Sequence, residues 1–373
     1  MPISLGGIRV PCGKIPMVLN NYLKQLGFER SLMDEVDSSI PGTCVPVRVS
    51  QVQKESYFVT DGNREVYSEV AGRLMYGVDS PLHLPVTGDW VMAQVMDSSL
   101  AIIHKVLPRK TILKRKTPGK KVEFQAIAAN IDVALLVQSL DDDFSLRRLE
   151  RYLIMTREGD IEPVVLLSKR DLVAENELDS WIARVRDVSA EVKVISFSSE
   201  TGVGVSAVNS FLESGKTYCL LGSSGVGKST LLNELAGDEI METREIRASD
   251  SKGRHTTTAR QLIILDSGAM MIDTPGMREL GNIGVGAGIA ETFPEVQELE
   301  RDCRYNDCSH QHEEGCAILK ALENGELDND RFESWQKLRR ESEFNEMSML
   351  EKRKRDKKLG KLYKSVQKNN AKR

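Results

Sequence analysis

Gly222-Ser223-Ser224-Gly225-Val226-Gly227-Lys228-Ser229-Thr230 fits G-x-x-x-x-G-K-[ST], a loop that cradles phosphate. Gly222, Gly225 and Gly227 let the backbone approach an anion in conformations closed to other residues, so that successive N–H groups point at it. Lys228 adds a point charge for the outer phosphates, and the Ser229 hydroxyl suits magnesium. The flanks agree. Thr217-Tyr218-Cys219-Leu220-Leu221 is an apolar run suited to a buried strand, and Leu231, Leu232 and Leu235 follow at helical spacing. The phosphates would therefore sit at a helix N-terminus.

Downstream, Ile263-Ile264-Leu265, the turn Asp266-Ser267-Gly268 and Met270-Met271-Ile272 predict a hairpin ending in Asp273-Thr274-Pro275-Gly276. An Asp at a strand end followed by x-x-Gly serves a nucleotide switch: Asp273 for the magnesium shell, the Gly276 N–H for the γ-phosphate. Upstream, Asp132 to Val137 and Pro163 to Leu167 read as parallel strands buried on both faces. Leu146, Leu149, Tyr152 and Leu153 supply the helix between them.

Ser168-Lys169-Arg170-Asp171 then falls at a strand's carboxyl end, where open α/β sheets bind ligands. Asp171 can accept two hydrogen bonds from guanine, and the Lys169 stem can lie over the base. Phe197-Ser198-Ser199, after the strand Val192 to Ile195, is positioned to offer backbone N–H groups to the base. The usual first residue of such a reader is Asn. A serine hydroxyl makes fewer bonds than an amide, so base contact or loop bracing is expected to weaken at Ser168. Base reader before phosphate loop is the reverse of the ordinary GTPase order. The chain therefore reads as a circularly permuted α/β GTPase domain.

In Ras-like enzymes a Gln just after the D-x-x-G glycine orients the attacking water. Met277 stands there and cannot do so. His255, in the Arg254-His255-Thr256-Thr257-Thr258 run, is the candidate catalytic group beside Lys228, and a Thr of that run, Thr257, is a candidate magnesium ligand.

Cys303-x4-Cys308-x-His310-x5-Cys316 gathers three thiols and an imidazole, a set able to close a tetrahedral zinc shell; His312 competes with His310. Four protein ligands leave no open position, so one structural ion is expected. Cys12, Cys44 and Cys219 are scattered, a usage suited to a reducing compartment. Residues 44–106 hold five short β-rich runs with Asp61-Gly62 as a turn, which suggests a small barrel, OB-like, SH3-like or a plain spacer.

The chain has 373 residues and a net charge of −4, which conceals an asymmetry. Residues 351–373 carry 11 Lys and Arg against 2 acids, net +9, leaving 40 against 53, net −13, elsewhere. Arg109 to Lys121 adds seven basic residues and no acid. Such stretches gain counterion-release energy on a phosphate backbone. No apolar run is long enough to cross a membrane and no signal-like leader is evident, so a cytoplasmic protein is expected.

The motif order, with Gly88-Asp89-Trp90-Val91, Leu107-Pro108-Arg109, Ala128-Ala129-Asn130-Ile131-Asp132, Arg151-Tyr152-Leu153, the phosphate loop, Arg254 to Thr258, Asp273 to Gly276 and the cysteine cluster, resembles the ribosome small-subunit-dependent GTPase A family (RsgA, also called YjeQ). The likeness runs from about Cys44 into the basic tail. Ser168 for Asn and an N-terminal extension of about forty residues depart from it. The resemblance implies an OB-fold for the barrel, His310 as the fourth metal ligand, and ribosome-stimulated hydrolysis of GTP to GDP and phosphate. It also implies contact with the small ribosomal subunit and its rRNA during late maturation; the expected form is a monomer without membrane attachment.

Expected boundaries are 1–43 extension, 44–115 barrel, 116–287 permuted GTPase domain, 288–345 mostly helical zinc-binding domain and 346–373 basic tail. Two alternatives remain at this point: an RNA-binding assembly scaffold with nucleotide as a structural ligand, and an ATPase on the same loop.

Overall fold

The computed structural model describes residues 4–5, 8–9, 17–36, 40–53, 56–78, 80–96, 99–116, 124–237, 260–273 and 286–346. His255, Thr257, Gly276, Met277, residues 117–121 and the 351–373 tail lie outside the described residues. The chain divides into two compact units, Met1–Lys114 with Phe124–Leu280, and Arg115–Glu123 with Gly281–Arg373.

The first unit opens with a short antiparallel pair, β1 (Ser4–Leu5) and β2 (Ile8–Arg9), and helix α1 (Met17–Gln25). The barrel follows: β3 (Val45–Gln53), β4 (Ser56–Thr60), β5 (Glu65–Val70), α2 (Gly72–Gly77), β6 (Trp90–Val95) and β7 (Ala101–Val106). β3 pairs with β4, β4 with β5, β5 runs parallel to β7, β7 pairs with β6, and β6 returns to β3. That closed five-stranded Greek-key ring is an OB-fold, the one of the three sequence alternatives that the family resemblance favoured. Alternation fills it: Val47, Val49, Val59, Val66, Val91, Ala93 and Ile103 point inward as its core.

Strands β8 (Ile112–Lys116) and β9 (Phe124–Ala129) lead into the α/β layers. These comprise β10 (Val133–Ser139), α3 (Leu146–Arg157), β11 (Glu162–Ser168), α4 (Leu178–Val188), β12 (Lys193–Ser196), α5 (Val205–Phe211), β13 (Thr217–Leu221), α6 (Lys228–Ala236), β14 (Arg260–Ile264) and β15 (Met270–Asp273). Their spatial order is β12-β11-β10-β13-β15-β14, parallel except for β14. β10 is buried throughout because it is covered twice. Val133, Leu135 and Val137 pack with Val208, Leu231 and Leu232, while Ala134 and Leu136 pack with Leu149, Leu153 and Val185. The phosphate-loop strand β13 lies centrally, with strands that precede it in the chain on one side and strands that follow it on the other. This is the spatial expression of the permuted motif order.

Barrel and α/β layers share one eleven-stranded sheet. β3 pairs with β14 through Arg260↔Val52 and Gln261↔Gln51, and the Thr87 hydroxyl donates to the Arg260 carbonyl at 3.0 Å. At the same seam Arg48 is 1 % exposed. It donates to the carbonyls of Leu26 (2.6 Å), Asn130 (3.0 Å) and Gly88 (3.2 Å). Burial lowers its pKa to about 10, so it stays a cation at neutral pH. Gly88 has φ 92°, and a Cβ there would meet the Ala129 carbonyl at 2.2 Å. Beside it, buried Asp89 accepts from Arg109 Nε and Nη2 and from the Val86 N–H, each at 2.7 Å. Burial pushes the Asp89 carboxyl up, and this guanidinium fork opposes it.

The extension joins the same seam. Leu23, Leu26, Phe28 and Leu32 are buried with Trp90, Leu107, Leu113 and Ile131, and the Phe28 and Trp90 rings meet edge-on at 4.8 Å.

The second unit is helical: α7 (Gly286–Thr292), α8 (Pro294–Arg301), α9 (Ala317–Glu323) and α10 (Asn329–Glu346). Phe293, Val296, Ile318, Phe332, Trp335 and Leu338 are buried in it, and Arg331 ties α10 to Glu295 at 2.7 Å and to the Thr292 carbonyl at 2.6 Å. Among the described residues no helix is long and apolar enough to cross a membrane.

Candidate functional site: a nucleotide cleft and a metal centre

Among the described residues, the loops after β10, β11, β12 and β13 meet at the carboxyl edge of the parallel strands, the edge at which such sheets bind ligands. The phosphate loop leaves β13 at Gly222, where a Cβ would strike the Val137 carbonyl at 2.6 Å; the strand below thus demands glycine. Gly225 (φ 83°) and Gly227 (φ 93°) are left-handed, a conformation that favours glycine and that suits an anion-cradling loop, before α6 begins. Lys228 Nζ donates to the carbonyls of Gly222, at 2.8 Å, and Ser223 and so curls within its own loop. Ser224, Gly225 and Thr230 are exposed, and Ser229 is half-buried in the first turn of α6. Asp273 ends β15 in register with Leu220 of β13, one strand from the phosphate loop.

On the base side, Ser168 is 2 % exposed, and its hydroxyl donates to the Val226 carbonyl of the phosphate loop at 2.7 Å. Whatever an amide would add, the loop is not left unbraced: the hydroxyl is short, but β11 carries it close enough to hold the loop itself. Lys169 is left-handed (φ 57°) and its ammonium meets Asp141 Oδ2 at 2.7 Å. Arg170 turns its guanidinium to Glu175, and its backbone N–H donates to the Phe197 carbonyl at 3.1 Å, joining the β11 and β12 loops. Asp171 is exposed, and its Oδ1 accepts from the Ser198 hydroxyl. Ser198 is in turn fixed by its N–H to the Val203 carbonyl at 2.8 Å. Ser199 sits next to it, half-buried.

One part of the cleft escaped the sequence reading. The turn after β10, Asp141-Asp142-Asp143, reaches Lys169 through Asp141, and Asp143 accepts from Ser223 of the phosphate loop and from Arg148 at 2.8 Å. Partial burial pushes the Asp141 carboxyl up, but bonds from Lys169, the Ser139 hydroxyl and the Asp143 N–H hold it below its ordinary value. Its signal was three successive aspartates at a strand end adjoining the phosphate strand.

In the second unit Cys303, Cys308, His310 and Cys316 bring one ligand atom each within 4.8 Å of one another. Cys303 Sγ lies 3.9 Å from Cys316 Sγ and 3.7 Å from His310 Nδ1, which lies 3.5 Å from Cys316 Sγ. The four groups are close enough together to hold one metal ion. Cys303 follows α8, Cys316 caps α9 by accepting from the Leu319 N–H at 3.5 Å, and left-handed His310 (φ 55°) turns its ring into the cluster. His310 Nε2 faces Glu300 Oε1 at 3.2 Å, and Arg339 holds the same oxygen at 2.8 Å. A carboxylate on the outer nitrogen fixes the imidazole with Nδ1 free for a metal. His312, the competing imidazole, is exposed. Glu313 organises the loop between them, accepting from the Ser309 hydroxyl and from the N–H groups of Gln311 (2.9 Å), His312 (3.1 Å) and Ser309 (3.0 Å). These bonds hold its carboxyl well below the usual range.

The RsgA GTPase family model matches residues 106–283. The small ribosomal subunit biogenesis GTPase RsgA 2 of Vibrio vulnificus is 40% identical over 330 residues, 86% of this chain and 93% of that protein. The RsgA protein of Opitutus terrae is 41% identical over 310 residues, 80% of this chain and 84% of that one. Among solved structures, YjeQ from Thermotoga maritima aligns with a TM-score of 0.57 at 24% identity, covering 79% of this chain and 97% of that one. YloQ, a circularly permuted GTPase, aligns with a TM-score of 0.55 at 22% identity, covering 82% and 97%. These two likenesses carry the fold.

Proposed function

Since this chain belongs to the RsgA family of GTPases, we propose that it hydrolyses GTP to GDP and phosphate on the small ribosomal subunit, assisting late steps of its maturation. The observation that carries this reading is the convergence of Lys228, Ser168 and the Ser198-oriented Asp171 at one sheet edge. An ordinary adenine offers Asp171 no matching pair of donors, so the pairing favours guanine over the ATPase alternative.

In this reading Lys228 leaves its loop carbonyls for the outer phosphates, and the N–H groups of residues 223–229 bind the phosphate oxygens. Asp171 accepts from the base, Lys169 covers it, Arg170 joins the loops, and Ser198 and Ser199 line the base edge. Magnesium bound with GTP would neutralise developing phosphate charge, and the residues to hold it are Ser229, Thr257 and Asp273. Gly276 would meet the γ-phosphate. With Met277 unable to orient water, His255 is the proposed water-positioning group.

The metal proposed for the cysteine cluster is one structural zinc. Zn–S bonds of about 2.3 Å and Zn–N bonds of about 2.0–2.1 Å imply ligand edges of roughly 3.5–3.8 Å, close to the 3.5–3.9 Å among Cys303, His310 and Cys316, with Cys308 completing a set that lies within 4.8 Å. The proposed partners are GTP or GDP and small-subunit rRNA, met by the barrel and the basic tail, with the chain a cytoplasmic monomer. The proposed divisions remain 1–43, 44–115, 116–287, 288–345 and 346–373.

The test is GTP turnover by purified protein alone, with small subunits and with large subunits. Stimulation confined to small subunits is expected. Unstimulated turnover with intact subunit binding would favour a scaffold in which nucleotide is structural.

A further inference from the structure

Lys169 needs an explanation. It is a non-glycine residue in left-handed conformation (φ 57°, ψ 41°), a strained state that persists only where its surroundings over-determine it. Ser168 before it is locked to Val226, and Arg170 after it to Phe197, so the backbone is pinned on both sides. The long side chain between them would still sweep through many rotamers, and what holds it is a carboxylate from another loop. Asp141 Oδ1 is fastened by the Ser139 hydroxyl at 2.6 Å and the Asp143 N–H at 3.0 Å. That leaves Oδ2 to face Lys169 Nζ at 2.7 Å. The carboxylate is therefore oriented by its own turn before it meets the lysine, and the same turn reaches the phosphate loop through Asp143 and Ser223.

We propose that Asp141 is a positioning residue for guanine-nucleotide binding, which holds the Lys169 side chain extended so that its stem covers the base. The inference rests on the GTPase reading above and adds to it a residue outside the phosphate and base motifs. A neutral isostere should loosen the lysine without disturbing the phosphate loop. The side chains of the pair are 30% and 26% exposed, so solvent screening puts the effect at the lower end of the range for a charge-assisted bond, about tenfold in affinity.

The experiment compares wild type, Asp141→Asn, Lys169→Met and the double variant in binding GDP, with tripolyphosphate as a ligand that has phosphates and no base. Asp141→Asn is expected to weaken GDP about tenfold and to leave tripolyphosphate binding unchanged. The double variant should bind GDP no worse than Lys169→Met, because one residue acts through the other. Additive losses, or an Asp141→Asn protein that binds GDP like wild type, would overturn the proposal. Equal weakening of both ligands would also overturn it, since that is the mark of a merely structural residue. Lys169→Met reaches the same pair from its less buried side if Asp141→Asn folds poorly. Wild-type protein that binds tripolyphosphate but neither GDP nor GTP would instead defeat the guanine reading on which the proposal stands, and the proposal with it.

Discussion

Ser168 owes its contact to its position rather than to the length of its side chain. Its hydroxyl satisfies the Val226 carbonyl of the phosphate loop. Ser168→Ala would leave that buried acceptor unpaired at about 1–3 kcal/mol, so GDP affinity measured by calorimetry should fall roughly five- to hundredfold. An unchanged affinity would mean the loop holds its shape without the brace. His255 belongs to the same scale. Replacing it with alanine should lower ribosome-stimulated hydrolysis about a hundredfold, while GTP and subunit binding stay near wild type. Wild-type stimulated turnover would remove it from the chemistry. The phosphate loop around Lys228 and the clustering of Cys303, Cys308, His310 and Cys316 were legible because their motifs are local in sequence. Asp141 was not, because its partner is 28 residues away and only the neighbouring placement of β10 and β11 brings the two together.

At the scale of elements, the barrel strands and the β10–α3–β11 unit were legible from period-two alternation and helical spacing, which follow from backbone geometry alone. The extension was not. Leu23, Leu26, Phe28 and Leu32 look like any short apolar pattern, and their partners Trp90 and Ile131 lie more than fifty residues on. Deleting residues 1–36 should destabilise the barrel and the α/β layers together by several kcal/mol. Each of the four side chains contributes about 1.5–3 kcal/mol on burial, and Arg48 loses the Leu26 carbonyl. Chemical denaturation of the truncated chain checks this, and an unshifted midpoint would make the extension dispensable. In the second unit, Cys308→Ser or strong chelation should release close to one zinc per chain and loosen the 303–316 loop, with little change in GDP binding. Metal analysis finding no zinc in carefully prepared protein would refute the assignment.

For the whole molecule, charge is divided as the proposed contact with RNA would require: net +9 in residues 351–373 against −13 in the rest. Removing the tail should weaken subunit binding and flatten its salt dependence by roughly 0.7–0.9 log units per lost phosphate contact, while GTP binding survives. An unaltered slope would show that the tail is a solvated appendage. The join between barrel and nucleotide sheet has a further consequence. Because β3 is laddered to β14 and Trp90, Leu107 and Leu113 belong to the apolar core that also holds Ile131 and Leu136, no surface inside this unit is finished on its own. A fragment of residues 44–115 would bare that greasy flank and an open strand edge to water, and would clump rather than behave as a portable RNA-binding module.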